Sequence, residues 1–180
     1  MRLLWGIICI LFVLVFFSFF LFIPRKTEEF IVVFLFFGII PVVGTTYVQA
    51  DAIPVSAWIA SIGVGALTCA VLVANNLRDI PSDAAAGKNT LAVRLGDRGT
   101  RVIYVVLVAA AFAIIPALAL PAGGGLTLAW LGMLAAVLAV RPLASVIRGA
   151  AGRDLVPVLQ GTGLLVLAYG ILLGAGIALS

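Results

Sequence analysis

The chain has 180 residues, 64% of them hydrophobic and 10% charged, with 11 Lys and Arg against 7 Asp and Glu for a formal net charge of +4. That composition excludes an ordinary water-soluble domain. The absence of histidine excludes Ser-His-Asp triads, imidazole bases and most zinc sites built from this chain alone.

Six apolar runs follow one another: residues 3–23, 30–48, 53–74, 102–120, 126–140 and 157–179. Each is near the roughly 20 residues needed to cross the hydrocarbon core and far longer than a barrel strand. A helix also satisfies every backbone amide within its own segment, so the expected fold is all-α, a single polytopic transmembrane bundle over residues 1–180. The first run follows Met1-Arg2 but is too long for a signal-peptide core, and no small-residue cleavage site follows Ile23; it reads as a retained helix. The fifth run is short, so its helix is expected either to extend past Arg141 or to pack with little tilt, with Pro142 marking a kink or an end. Gly170 and Gly174 form a GxxxG pair suited to close helix packing, and Tyr47, Trp58 and Trp130 read as interfacial anchors. Cys9 and Cys69 belong at different depths and read as packing residues rather than a disulfide.

The cations fall on one face of this bundle. Arg25 and Lys26 follow the first span; Arg78, Lys88, Arg94, Arg98 and Arg101 follow the third; Arg141, Arg148 and Arg153 follow the fifth. The positive-inside rule then makes that face cytoplasmic and puts both termini outside, in a multi-pass protein of the cell membrane. The excess positive charge fits this asymmetry and contact with anionic lipid headgroups, and gives no support for nucleic-acid binding.

Residues 75–101, expected as a cytoplasmic loop, concentrate the chain's chemistry: two amides (Asn75, Asn76), two carboxylates (Asp79, Asp83) and the cations Arg78, Lys88 and Arg94. With no histidine beside them, a metal here must be held by oxygen, which suits Mg²⁺ completed by water and substrate phosphate. If the third span stays helical through Ile80, Asn75 and Asp79 lie one turn apart with Asn76 beside Asp79. Pro81 disfavours helical geometry at Ile80, so Asp83 is expected on a new turn rather than on a continuous ladder. Arg78, Lys88 and Arg94 are the available anion partners. A P-loop reading of Gly87-Lys88-Asn89-Thr90 fails because Ser82 stands where the first glycine is required. Asp, Asn and Pro are also ordinary turn residues, so the residue types alone leave a plain solvated loop as the competing reading.

The segment NNLRDIPSDAAAGKNTLAVRLGD, residues 75–97, closely resembles the second aspartate-rich motif of the UbiA-type intramembrane aromatic prenyltransferases, and within them the 1,4-dihydroxy-2-naphthoate polyprenyltransferases of menaquinone synthesis. Residues 34–49 and 154–179 are similar to the family's flanking helices, so the resemblance runs from about residue 28 to residue 180. It implies that Asp79 and Asp83 hold Mg²⁺ against a polyprenyl diphosphate, that Asn75 or Asn76 supports them, and that Lys88 and Arg94 contact phosphate oxygens. An aromatic acceptor, dihydroxynaphthoate, would attack an allylic cation inside the bundle; Phe34, Phe37 and Tyr47 are candidate wall residues, and Gln160 and Thr162 line either a cavity or a helix contact. No acceptor-binding or other catalytic residue is singled out.

Two departures stand out. Asn89 occupies a position that is commonly basic in the family, and the first aspartate-rich loop, with its NDxxD-like pattern, has no counterpart in this sequence. The six runs correspond to helices four to nine of the family's nine. The expectation is therefore a Mg²⁺-dependent prenyltransferase or a noncatalytic or split half of one, partnered by a separate N-terminal half or a homo-oligomer; a truncated relic or, on topology alone, a small transporter are the other readings.

Overall fold

The computed structural model describes residues 29–180. The first apolar run, with Arg2, Cys9, Arg25 and Lys26, lies outside the described residues.

Five helices in the described chain are long and apolar enough to span a bilayer: α1 Glu29–Ala50, α2 Val55–Ala85, α3 Leu91–Ala119, α4 Thr127–Ile147 and α5 Gly152–Ala178. The described residues contain no strand. The chain is a multi-pass membrane protein of all-α class, as its composition requires.

Short connections force neighbouring helices antiparallel, and cross-chain bonds fix which ends meet. The start of α3 and the end of α4 share one end of the bundle, because the Arg101 guanidinium donates to the Val146 and Ala150 carbonyls at 2.7 and 2.9 Å. At the opposite end the Leu128 amide donates to Ser180 Oγ at 3.1 Å, tying the start of α4 to the end of α5. Trp58, early in α2, and Trp130, early in α4, are both exposed at that second end, the location expected of interfacial anchors.

Helix α2 is the central element. Its buried positions run from Ala57 to Asp83, and it packs against α1, α3 and α5. Small residues permit this. Gly38 lies in a π-helical segment of α1, Leu35–Ile39, and crosses α2 at Gly65, where a Cβ on either glycine would overlap its neighbours. Gly63 leaves room for the Tyr169 hydroxyl, which donates to the Ala111 carbonyl at 2.7 Å while its ring meets Phe112 edge-on at 5.6 Å. Tyr104 Oη and Thr162 Oγ1 lie 2.7 Å apart, both buried, so Thr162 belongs to the contact between α3 and α5 rather than to a cavity wall.

The expected GxxxG contact is not formed within the described chain. Gly170 and Gly174 are exposed, with nothing within 4 Å of an added Cβ. The close approach is at Gly176 instead, where a Cβ would overlap the Leu128 carbonyl. Gly176→Ala is expected to cost about 1–3 kcal/mol, because backbone cannot retreat as a side chain can. Gly174→Ala should leave thermal unfolding in detergent unchanged.

Helix α4 begins with 3-10 turns over Thr127–Ala135 and continues through buried Pro142 to Ile147, so it does extend past Arg141. Cys69 is buried with its thiol 3.6 Å from the Phe30 carbonyl, consistent with a packing role.

Candidate functional site

The polar segment expected as a loop is mostly helix. Thirty-one residues of α2 extend roughly 46 Å, more than a hydrocarbon core of about 30 Å, so its polar last third projects beyond the apolar segment. Pro81 does not break it. The proline removes only the bond to the Leu77 carbonyl, it is exposed, and the Ser82 hydroxyl donates to the Asp79 carbonyl at 2.9 Å one residue away. Asp83 therefore continues the ladder instead of starting a new turn. Asn75, Asp79 and Asp83 are spaced i, i+4, i+8, with Asn76 three residues before Asp79 and seven before Asp83, so all four share one broad face.

The helix ends in a Schellman motif. Gly87 adopts φ +69°, its amide donates to the Ala84 carbonyl at 3.1 Å, and the Lys88 amide donates to the Asp83 carbonyl at 2.9 Å. This reversal folds Lys88 back over the last turn, and its Nζ lies 2.7 Å from Asp83 Oδ1. Gly87 thus has a backbone role: it aims the lysine. Thr90 then caps α3, its hydroxyl accepting from the Val93 amide at 3.3 Å.

The two carboxylates differ. The Asp83 side chain is 11% exposed and held by one lysine; the Asp79 side chain is 31% exposed and forms a two-bond pair with its neighbour Arg78, at 2.8 and 3.1 Å. Each acid therefore carries a cation that a bound metal would have to replace, and each cation would then be free to meet a phosphate oxygen. Arg94 is exposed on the first turn of α3 and engages other groups.

Asn76 is the informative neighbour. It is buried, and its Nδ2 has no hydrogen-bond partner. A buried amide left unsatisfied costs about 1–3 kcal/mol, which a site awaiting a ligand would explain. Rotated, the same amide presents Oδ1, so it suits either a phosphate oxygen or a hard cation. Asn76→Leu is expected to stabilise the fold by about 1–2 kcal/mol and to weaken diphosphate binding, a divergence read by thermal unfolding and ligand titration on the same sample.

No group of three Asp, Glu, Cys or His residues gathers at one point among the described residues. The donor set on offer is two carboxylates and two amides, all oxygen. That fits Mg²⁺, which is commonly held by one or two carboxylates with its shell completed by water and substrate phosphate.

Asn75 opens onto a cavity of about 450 Å³ between α1, α2 and α5, whose walls include Val33, Phe37, Val71, Leu72 and Val166, with Thr68 as a second polar group. Of the aromatic residues expected to line a cavity, only Phe37 does so here. Phe34 fills the space over Gly65, and Tyr47 is exposed three residues before the end of α1 at Ala50, the end of the bundle away from Asp83. Gln160 lines a different cleft, between α4 and α5.

One residue carries more than its sequence position suggests. Arg101, read only as a topology marker, binds Asp97 with two bonds at 2.6 and 2.7 Å and also caps the end of α4. The i, i+4 spacing of Asp97 and Arg101 was the available signal.

The model of the UbiA prenyltransferase family matches residues 2–156. The chain belongs to that family. The match begins one residue before the first apolar run, ahead of where the motif resemblance starts, and ends near the start of α5. Among curated relatives, the chain is 44% identical over 150 residues to a 1,4-dihydroxy-2-naphthoate octaprenyltransferase of Mycobacterium tuberculosis, covering 81% of this chain and 49% of the relative. A protein of the same name from Mycobacterium leprae is 39% identical over 152 residues, 83% of this chain and 50% of the relative. One from Haemophilus influenzae is 51% identical over 79 residues, 44% of this chain and 26% of the relative. This UbiA family chain thus spans about half the length of the mycobacterial relatives it matches. No solved structure matches it.

Proposed function

We propose that this UbiA family chain carries the diphosphate-binding site of a prenyltransferase that moves a polyprenyl group from its diphosphate to an aromatic acceptor, 1,4-dihydroxy-2-naphthoate, in menaquinone synthesis. The observation that carries the reading is the pairing of Asp79 and Asp83 one turn apart on an unbroken helix, each engaged by a cation, beside the unsatisfied amide of buried Asn76.

Asp79 and Asp83 would hold Mg²⁺, with Asn75 and Asn76 supporting. The metal would neutralise the charge that develops on the diphosphate as the allylic C–O bond breaks. Lys88, Arg78 and Arg94 would bind phosphate oxygens, the first two by exchanging their carboxylate partners for the substrate. The cavity bordered by Asn75 would take the first isoprene units and exclude water from the allylic cation. The acceptor ring carbon then bonds to the allylic carbon, and CO₂ leaves from the carboxylated position. The charged end of the bundle is read as cytoplasmic in the cell membrane from its excess of Arg and Lys.

The assay is direct: purified chain, Mg²⁺, a polyprenyl diphosphate and dihydroxynaphthoate, with and without a separately supplied N-terminal half. Pyrophosphate release in either arm supports the reading; none in both rejects it.

A transporter has less support, since the charged cluster sits at the end of the bundle and not at broken helices near the midplane.

A further inference from the structure

A second cleft, of about 730 Å³, lies between α4 and α5. It shares no residue with the cavity bordered by Asn75 and uses a different face of α5: Pro157, Gln160, Gly161 and Leu164 against Leu159, Gly163 and Val166. Its floor is the contact of Gly161 with the Pro142 ring, where an added Cβ would lie 2.8 Å from Pro142 Cγ.

Two arginines line this cleft. Arg141 and Arg148 are seven residues apart on α4, hence on one face and about 10 Å apart along the axis, with Ser145 between them. Both are exposed, and neither makes an ion pair or hydrogen bond with a described residue. Arg148 sits at the helix end, where the membrane surface is near; Arg141 is about 10 Å deeper, beside Val137, Leu138 and Leu164. An unpaired guanidinium at that depth is costly unless an anion reaches it. The cleft is apolar below and cationic above, which is the profile of a phospholipid.

We propose that the cleft between α4 and α5 holds an anionic phospholipid of the leaflet at the charged end, its phosphate between Arg141 and Arg148 and an acyl chain along Val137, Leu138 and Leu164. Charge complementarity selects an anionic headgroup over a zwitterionic one, and Ser145 and Gln160 supply neutral hydrogen bonds at headgroup level. The site is separate from the candidate diphosphate site, so its occupancy is read without turnover.

The test is native mass spectrometry of the full 180-residue chain released from bilayers of phosphatidylglycerol and phosphatidylcholine, counting retained lipid. The expected result is selective retention of phosphatidylglycerol, weakened about fivefold by Arg141→Gln or Arg148→Gln and about 25-fold by both, with Arg141→Lys plus Arg148→Lys retaining most of it. Arg153→Gln, outside the cleft, should have no effect. Leu164→Trp keeps both charges but fills the apolar part, and should also lower retention. Equal retention of the two lipids, displacement by millimolar inorganic phosphate alone, or an unchanged Leu164→Trp variant would overturn the proposal, as would a cleft already closed to lipid by residues 1–28 or a second copy of the chain.

Discussion

Asp83→Asn is expected to lower Mg²⁺-dependent affinity for a diphosphate about 100-fold, and Asp79→Asn about tenfold. Both variants should insert into membranes as the unaltered chain does. The asymmetry comes from environment. Asp83 is nearly buried, so its charge acts on a bound cation through a medium that screens it poorly. Asp79 is one-third exposed and Arg78 beside it can turn to water, so the loss there is smaller. Titration of inorganic pyrophosphate with and without Mg²⁺ gives both numbers, and equal losses at the two positions would contradict the burial argument.

Arg101→Met is expected to have the largest effect on stability, about 2–4 kcal/mol, lowering the unfolding midpoint by roughly 5–10 °C. Methionine keeps most of the apolar stem but none of the four bonds. The four bonds contribute unequally. Asp97 is 60% exposed, so the ion pair itself contributes under about 1 kcal/mol, and Asp97→Asn should barely move the midpoint. The bonds to the Val146 and Ala150 carbonyls carry the rest. Those carbonyls belong to the Schellman turn around Gly149, at φ +93°, and a guanidinium there both satisfies them and meets the negative end of the α4 dipole. Arg101 thereby locks the start of α3 onto the turn leading into α5. If Asp97→Asn destabilised as much as Arg101→Met, the surface pair rather than the helix cap would be the source.

The helices were readable because a membrane leaves few options: apolar length sets the spans, and backbone satisfaction sets the helix. The extent of α2 was not. Hydropathy marks where apolar side chains stop at Ala74, whereas the backbone continues to Ala85 because helical hydrogen bonds do not require apolar side chains. Pro81 misled for a related reason. Its local preference against helix at Ile80 is real, but four residues from a helix end only one bond is at stake, and the packing of Leu77 and Asp83 outweighs it. The residue types of the site were visible as a motif; the burial difference between Asp79 and Asp83 and the unsatisfied Asn76 amide depend on α2 meeting its neighbours, which no local pattern encodes. Gly170 and Gly174 show the converse, a packing motif in the sequence that finds no partner within the described chain.

A double-mutant cycle on Mg²⁺-dependent pyrophosphate binding asks whether Asp79 and Asp83 grip one and the same ion. If one metal is shared, losing Asp83 already removes it, so Asp79→Asn with Asp83→Asn should bind no more weakly than Asp83→Asn alone, within about threefold. Losses that multiply, tenfold upon 100-fold, would mean that the two carboxylates act independently, and the account of a shared ion would be wrong.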